Sequence, residues 1–225
     1  MRQRQYGSHL QDQANLDMGQ NESSRQLMDA AGTGDRPLVQ ALLQQGVDVN
    51  AGLKDGFTPL MAAATSGHTD IVRDLLSSGA QVDLRDNRGM TALMMAASMG
   101  RPDTIKALIA GGADVSARNE SRLAPFGGYT PLMHAAQNKD AEAAKALLGA
   151  GASIDARDDN GETALMKASF WGNIGAVQAL LAAGADSKAQ DNDQRTAQMI
   201  AEEIGQTKIA ELLNAGSSTT NQLET

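Results

Sequence analysis

The sequence predicts an all-α solenoid, built of helix-turn-helix units stacked side by side with short β-turn or hairpin fingers between them. Three observations predict it. A short segment recurs: Thr58-Pro-Leu-Met-Ala-Ala-Ala, Thr91-Ala-Leu-Met-Met-Ala-Ala, Thr130-Pro-Leu-Met-His-Ala-Ala and Thr163-Ala-Leu-Met-Lys-Ala-Ser. Its period is fixed: 33 positions separate Thr58 from Thr91, Thr130 from Thr163 and Thr163 from Thr196. The one exception, the 39 positions from Thr91 to Thr130, marks a six-residue insertion. A period of this length is the signature of a repeat architecture, in which each unit buries its apolar face only against its neighbours.

Each unit has the same parts. A turn comes first, at Asp55-Gly56, Arg88-Gly89, Gly127-Gly128 and Asn160-Gly161, where Gly tolerates positive φ. Thr follows as a helix N-cap, with Pro or Ala as the first helical residue. The short helix puts Leu60, Ala63 and Ala64 on one face, with equivalents at Leu93, Ala96, Ala97, at Leu132, Ala135, Ala136 and at Leu165, Ala168, Ser169. A second helix carries an apolar stripe, as in Ile71, Val72, Leu75, Leu76 and in Ile105, Leu108, Ile109. It ends at Gly79, Gly112, Gly151 or Gly184, where a helix C-terminus needs a left-handed residue.

These residues resemble the ankyrin repeat, over about residues 23–215, through the 33-residue period and a Thr-Pro-Leu signature. The chain departs from the family at the position of its His, which is Met61, Met94, Met133 and Met166 here. That His bonds neighbouring loops in the family, so loop rigidity is expected to rest more on packing. Gly67-His68 keeps the family's Gly-His pair, whereas Gly100-Arg101, Lys139-Asp140 and Gly172-Asn173 do not.

The expected organisation is a polar tail at 1–22, an N-terminal cap at 23–52, full repeats at 53–85, 86–118, 119–157 and 158–190, a C-terminal cap at 191–215, and a Ser/Thr tail at 216–225 expected to be disordered. The first unit lacks the Thr-Pro turn and carries polar Asp29, Gln40, Gln44 and Gln45, as suits a cap that meets water. Gln198, Glu202, Glu203, Lys208 and Glu211 mark the other cap. Gly7-Ser8-His9 reads either as a cloning remnant or as part of a natural disordered tail. The expected location follows that choice: a soluble protein of the bacterial periplasm if a signal peptide has been removed, cytoplasmic otherwise.

Composition excludes several functions. There is no Cys, which rules out disulfide and thiolate chemistry in this chain. The 27 acidic against 19 basic residues leave a formal charge of −8, which disfavours nucleic acid as a partner. No apolar run reaches the length of a membrane span. Of the three His residues, His9 lies in the tail, His68 sits at a family position, and His134 has no second ligand at metal spacing. No phosphate loop, nucleophile elbow or carboxylate pair is present. The expectation is therefore no enzyme, no metal, no cofactor and no membrane partner.

Binding is read from the positions that the repeat does not need. On each short helix, the face opposite Leu-x-x-Ala-Ala carries Ala62, Thr65, Ser66; Met95, Ser98, Met99; His134, Gln137, Asn138; and Lys167, Phe170, Trp171. The resemblance implies that this face, with the turn tips, lines a concave partner-binding surface. Phe57, Met90, Tyr129 and Glu162 precede the capping Thr residues. Apart from Tyr6, the aromatics are Phe57, Phe126, Tyr129, Phe170 and Trp171, all on tips or on this face and none on the core stripes. They read as interface anchors or, alternatively, as packing between units. The inserted stretch Asn119–Gly128 adds Arg122, Leu123 and Phe126, and is expected to project as a finger that contacts the partner.

The expected partner-binding set is thus Phe57, Met90, Met95, Met99, Arg122, Leu123, Phe126, Tyr129, His134, Lys167, Phe170 and Trp171. The expected function is non-enzymatic protein-protein recognition by a monomer. Two forms stay open: an immunity-type inhibitor that covers an enzyme's active site, or an adaptor that binds without inhibiting.

Overall fold

The computed structural model describes residues 22–120, 127–138 and 141–220, with side chains through 215. Among the described residues it is helical throughout and has no strand. The helices come in pairs. α1 spans 22–33 and α2 Arg36–Gln44, followed by α3 Pro59–Ser66, α4 Thr69–Ser77, α5 Ala92–Ser98, α6 Pro102–Ala110, α7 Pro131–Ala136, α8 Glu142–Gly149, α9 Ala164–Phe170, α10 Ile174–Ala182, α11 Ala197–Glu203 and α12 Thr207–Thr220.

Two rows result. The short helices stack as α3, α5, α7, α9 and α11, and the second helices as α2, α4, α6, α8, α10 and α12. The core runs between the rows as one continuous seam. Leu60, Leu93, Leu132 and Leu165 enter it from one row, and Leu75, Leu108, Leu147 and Leu180 from the other. Each such burial stabilises the stack by roughly 1.5–3 kcal/mol. Small residues set the spacing: Ala63, Ala64, Ala96, Ala97, Ala135 and Ala136 are fully buried where the helices meet.

Local chemistry starts and stops every unit. The hydroxyls of Thr58, Thr91, Thr130, Thr163 and Thr196 accept from the backbone N–H groups of Met61, Met94, Met133, Met166 and Met199. Each cap is worth about 1 kcal/mol. At the other end Gly79, Gly112, Gly151 and Gly184 have φ between +83° and +91°. A Cβ there would meet nothing within 4 Å, so backbone conformation alone selects glycine.

The methionines at the family's His position fill the seam. Met61, Met94, Met133 and Met166 are at most 1% exposed, where a flexible thioether adapts to the gap between units. Loop rigidity is not left to packing alone, however. His68 Nε2 lies 3.2 Å from the Gly32 carbonyl of the preceding unit. Arg101 donates to the Thr65 carbonyl, and Asn173 donates to the Ala136 and Asn138 carbonyls. α12 runs on to Thr220, into the stretch expected as a Ser/Thr tail, and residues 221–225 lie outside the described residues. Once a helix is nucleated, each further residue gains a hydrogen bond as it is fixed.

Candidate partner-binding face

Four of the fingers are built on one buried polar residue each, Asp86, Asn119, Asp158 and Asp191. Asp86 Oδ1 accepts from the N–H groups of Arg88 and Met90 at 2.8 and 2.9 Å. Asp158 Oδ1 does the same for Asn160 and Glu162, and Asp191 for Asp193 and Arg195. Backbone bonds close each finger, from Asp86 N to Met90 O, Asp158 N to Glu162 O and Asp191 N to Arg195 O, all at 3.0 Å. Asn119 is the equivalent at the insertion. Its Oδ1 accepts from Tyr129 N at 2.6 Å, and its own N–H reaches Tyr129 O at 3.0 Å. The insertion therefore joins the stack through the same closed base as an ordinary finger, and the helices beneath keep their pairing.

A second ladder ties finger to finger. Arg85 donates to the carbonyls of Gly89 and Arg118, Arg118 to that of Arg157, and Arg157 to those of Gly161 and Gln190. Backbone bonds from Asn87 N to Asp55 O and from Asn192 N to Asn160 O reinforce it. Neither ladder was read from the sequence. The signal was there: Arg85-Asp86, Arg157-Asp158 and Gln190-Asp191 each put the Asp four residues before the tip residue that precedes the Thr, and Arg118-Asn119 is the same pair set ten residues ahead by the insertion.

Around the fourth finger a polar cluster is buried. Lys167 on α9 is only 5% exposed. Its Nζ sits 2.7 Å from Asp158 Oδ2, pairs with Glu162, and lies 4.4 Å above the ring centre of Tyr129. Burial pulls the lysine pKa down, but hydrogen bonds to Asp158, Glu162 and Tyr129 outweigh it and the net shift is upward. Lys167 is thus a charged structural pin. Tyr129 is 6% exposed, and burial raises its phenol pKa. His134 on α7 packs its ring 5.5 Å from that of Tyr129. Its Nε2 is shut from solvent and has no hydrogen bond among the described residues. Burial, with a smaller contribution from Arg88, lowers its pKa to about 4, so the ring is neutral at neutral pH.

The structure sorts the expected set into four groups. Met95, Tyr129 and Lys167 are buried, which for Tyr129 fits the alternative reading, packing between units. Tyr129 is drawn inward because Asn119 pins its backbone and Lys167 supplies a cation beneath its ring. Phe57, Met90 and His134 are half-buried, the first two packed on the core. Arg122, Leu123 and Phe126 lie outside the described residues. Met99, Phe170 and Trp171 stand exposed, at 48%, 48% and 53%.

Phe170 and Trp171 form a ledge at the end of α9, and Met99 stands exposed two short helices away, at the end of α5. Phe170 and Trp171 meet edge to face, with ring centres 5.5 Å apart. Beside Trp171 a notch of about 420 Å³ opens between α7 and α9, lined by Ser98, Gln137, Asn138 and Trp171. Its floor is held by Asn138, which donates to the Ser98 carbonyl at 3.1 Å. Among the described residues no group of three or more His, Cys, Asp or Glu is placed to hold a metal ion.

Comparison with known proteins places this geometry. The family models for ankyrin repeats match residues 27–119 and 132–222, and a second ankyrin model matches 93–148. A search of curated proteins found no match. Among solved structures, 601 chains match, so the fold by itself narrows the partner little. One is informative by its extent: the complex of the predatory endopeptidase Bd0816 from Bdellovibrio bacteriovorus with the immunity protein Bd3460. The similarity is to the immunity protein. It has 35% identity and a TM-score of 0.75, covering 85% of this chain and 98% of the other.

Proposed function

The chain belongs to the ankyrin repeat family, and from that premise we propose that it is an immunity-type inhibitor, a monomer that binds an endopeptidase through its concave face and covers the active site. The observation that carries the binding is the ledge. Met99, Phe170 and Trp171 are large apolar side chains, each exposed at or just past the end of a short helix, on a face where Met95, Tyr129 and Lys167 are buried. Such exposure costs solubility, and Trp is a typical anchor of protein interfaces. The inhibitory reading is supported by the extent of similarity to the Bdellovibrio immunity protein.

The mechanism needs no chemistry from this chain. The pinned fingers and the double row of helices present the ledge already ordered, so little conformational entropy is lost on binding. Inhibition follows from occupying the surface that the enzyme's substrate requires. The test is a titration of the chain into an endopeptidase from the source organism that is related to the one in the Bdellovibrio complex. A stoichiometric fall in peptide hydrolysis is expected. Tight binding with an unchanged rate would make the protein an adaptor, and no binding to any such enzyme would overturn the proposal.

A further inference from the structure

The N-terminal end of the stack is bare at two positions that join units elsewhere. Leu38 on α2 belongs to a series with Ile71, Thr104, Ala143, Ala176 and Ile209 on the later second helices, 33 positions apart or 39 across the insertion. Those five are at most 2% exposed, whereas Leu38 is 39% exposed. Leu53 in the first finger stands where later fingers have Asp86, Asn119, Asp158 and Asp191. These four are at most 8% exposed, and Leu53 is 44% exposed. The last unit has no successor among the described residues, yet it buries Ile209 and Asp191. Burial at both positions therefore comes from the preceding unit, and Leu38 and Leu53 mark the face where a predecessor would lie.

Unit junctions also carry a polar rung. Asn50 Oδ1 accepts from Gln81 N at 2.8 Å, Asp83 Oδ1 from Asp114 N at 3.1 Å and Asp155 Oδ1 from Asp186 N at 3.0 Å, with 31 positions between acceptor and donor each time. Asp48 N, the equivalent donor of the first unit, has no acceptor among the described residues. The residue 31 positions before Asp48 is Asp17. It lies in Ala14-Asn-Leu-Asp-Met18, which sets out, 33 positions earlier, the pattern of Val47-Asp-Val-Asn-Ala51 and, 33 positions later again, Ala80-Gln-Val-Asp-Leu84. Every second residue is apolar, and the fourth is the rung's acceptor. In the first described copy Val47 and Val49 are buried. Residues 14–18 are among the 21 that precede α1 and lie outside the described residues. Reach is no obstacle. α1 starts at 22, about one turn ahead of Gln26, the equivalent of Pro59 that opens α3. Gly19-Gln20-Asn21 are left to make the join. The finger they omit closes on itself, Leu53 N to Phe57 O at 2.9 Å, so leaving it out costs no span.

We propose that residues 14–18 of the same chain close this end of the stack as the start of a further, partial unit: the Asp17 carboxylate accepts the Asp48 N–H, and Leu16 and Met18 cover Leu53. The N-terminal end is then occupied by the chain itself and is not a surface offered to a partner. A leucine at position 53 fits this, because an apolar cover suits Leu where a closed finger before it would suit Asp or Asn.

Amide hydrogen exchange on the intact chain reads the rung directly. The Asp48 amide should exchange about tenfold more slowly in the parent than in Asp17→Ala. The Gln81 and Asp114 amides, held by rungs of their own, should exchange alike in both. The apolar cover has a separate readout. The chain has no Cys, so Leu53→Cys carries its only thiol. That thiol should react with an aromatic disulfide reagent several-fold more slowly than in the same variant with Leu16→Ser and Met18→Ser added. Circular dichroism first checks that each variant keeps the parent's helix content. Equal Asp48 exchange with and without Asp17, or equal thiol reaction with and without the apolar pair, overturns the proposal. Protection that falls on dilution would give the place to the segment of a second copy, and overturns closure within one chain.

Discussion

Two regions of helix α9 sit within one turn of each other and invert the usual rule. Lys167, a cation, is buried, while Trp171, just past the helix end, is half exposed. The lysine is held by Asp158, Glu162 and the Tyr129 ring, all supplied by fingers. The tryptophan meets the exposed Phe170 edge to face, and neither ring belongs to the buried core. The difference separates residues that build the face from residues that the face offers. A buried charge with three partners serves the stack. An exposed aromatic outside the core is free to serve another molecule.

The largest test of this division is Lys167→Ala. It leaves Asp158 and Glu162 without their cation in a buried setting, and should destabilise the fold by about 3 kcal/mol or more, read from urea unfolding. A loss below about 1 kcal/mol would mean that the cluster is not the pin described here.

His134 gives the next effect. Its folded-state pKa of about 4 lies below the ordinary 6.5, so the unfolded chain takes up a proton first as pH falls. The histidine costs nothing above about pH 7, and its penalty grows from 6.5 down to 4, by up to about 2–3 kcal/mol. Stability measured at pH 7.5 and 4.5 should therefore differ less in His134→Leu than in the parent. Equal differences would show that the ring is not shut away.

Asn119→Ala sharpens the comparison at the insertion. It strips the acceptor from the buried N–H of Tyr129, at a cost of about 1–2 kcal/mol. A neutral outcome would mean that the backbone closure alone holds the finger base. The smallest effect is expected at the ledge. Trp171→Ser and Phe170→Ser should change stability by no more than about 0.5 kcal/mol, although Trp171→Ser abolishes the notch wall. A large loss in thermal unfolding would return these aromatics to a packing role.

Much of the fold was legible because its signals are local. The Thr caps, the terminal glycines and the Leu-x-x-Ala-Ala faces each act within one turn, and the period repeats them. The site was legible only in part. Met99, Phe170 and Trp171 are exposed on the face where the repeat pattern puts them. Tyr129 and Lys167 are on it by spacing but under it in space. Their burial depends on Asp158 and Glu162, in the finger that follows Tyr129's unit and opens Lys167's own, a pairing that no periodicity of one helix contains.

The sequence alone thus determined the solenoid, its units and the place of the insertion, because short-range sterics and hydrogen bonds decide where each helix begins and ends. The tertiary structure alone decided which side chains of the open face remain available. That choice is made between units, where the Asp and Arg ladders of neighbouring fingers meet, and where a cation finds its partners or an aromatic ring is left without them.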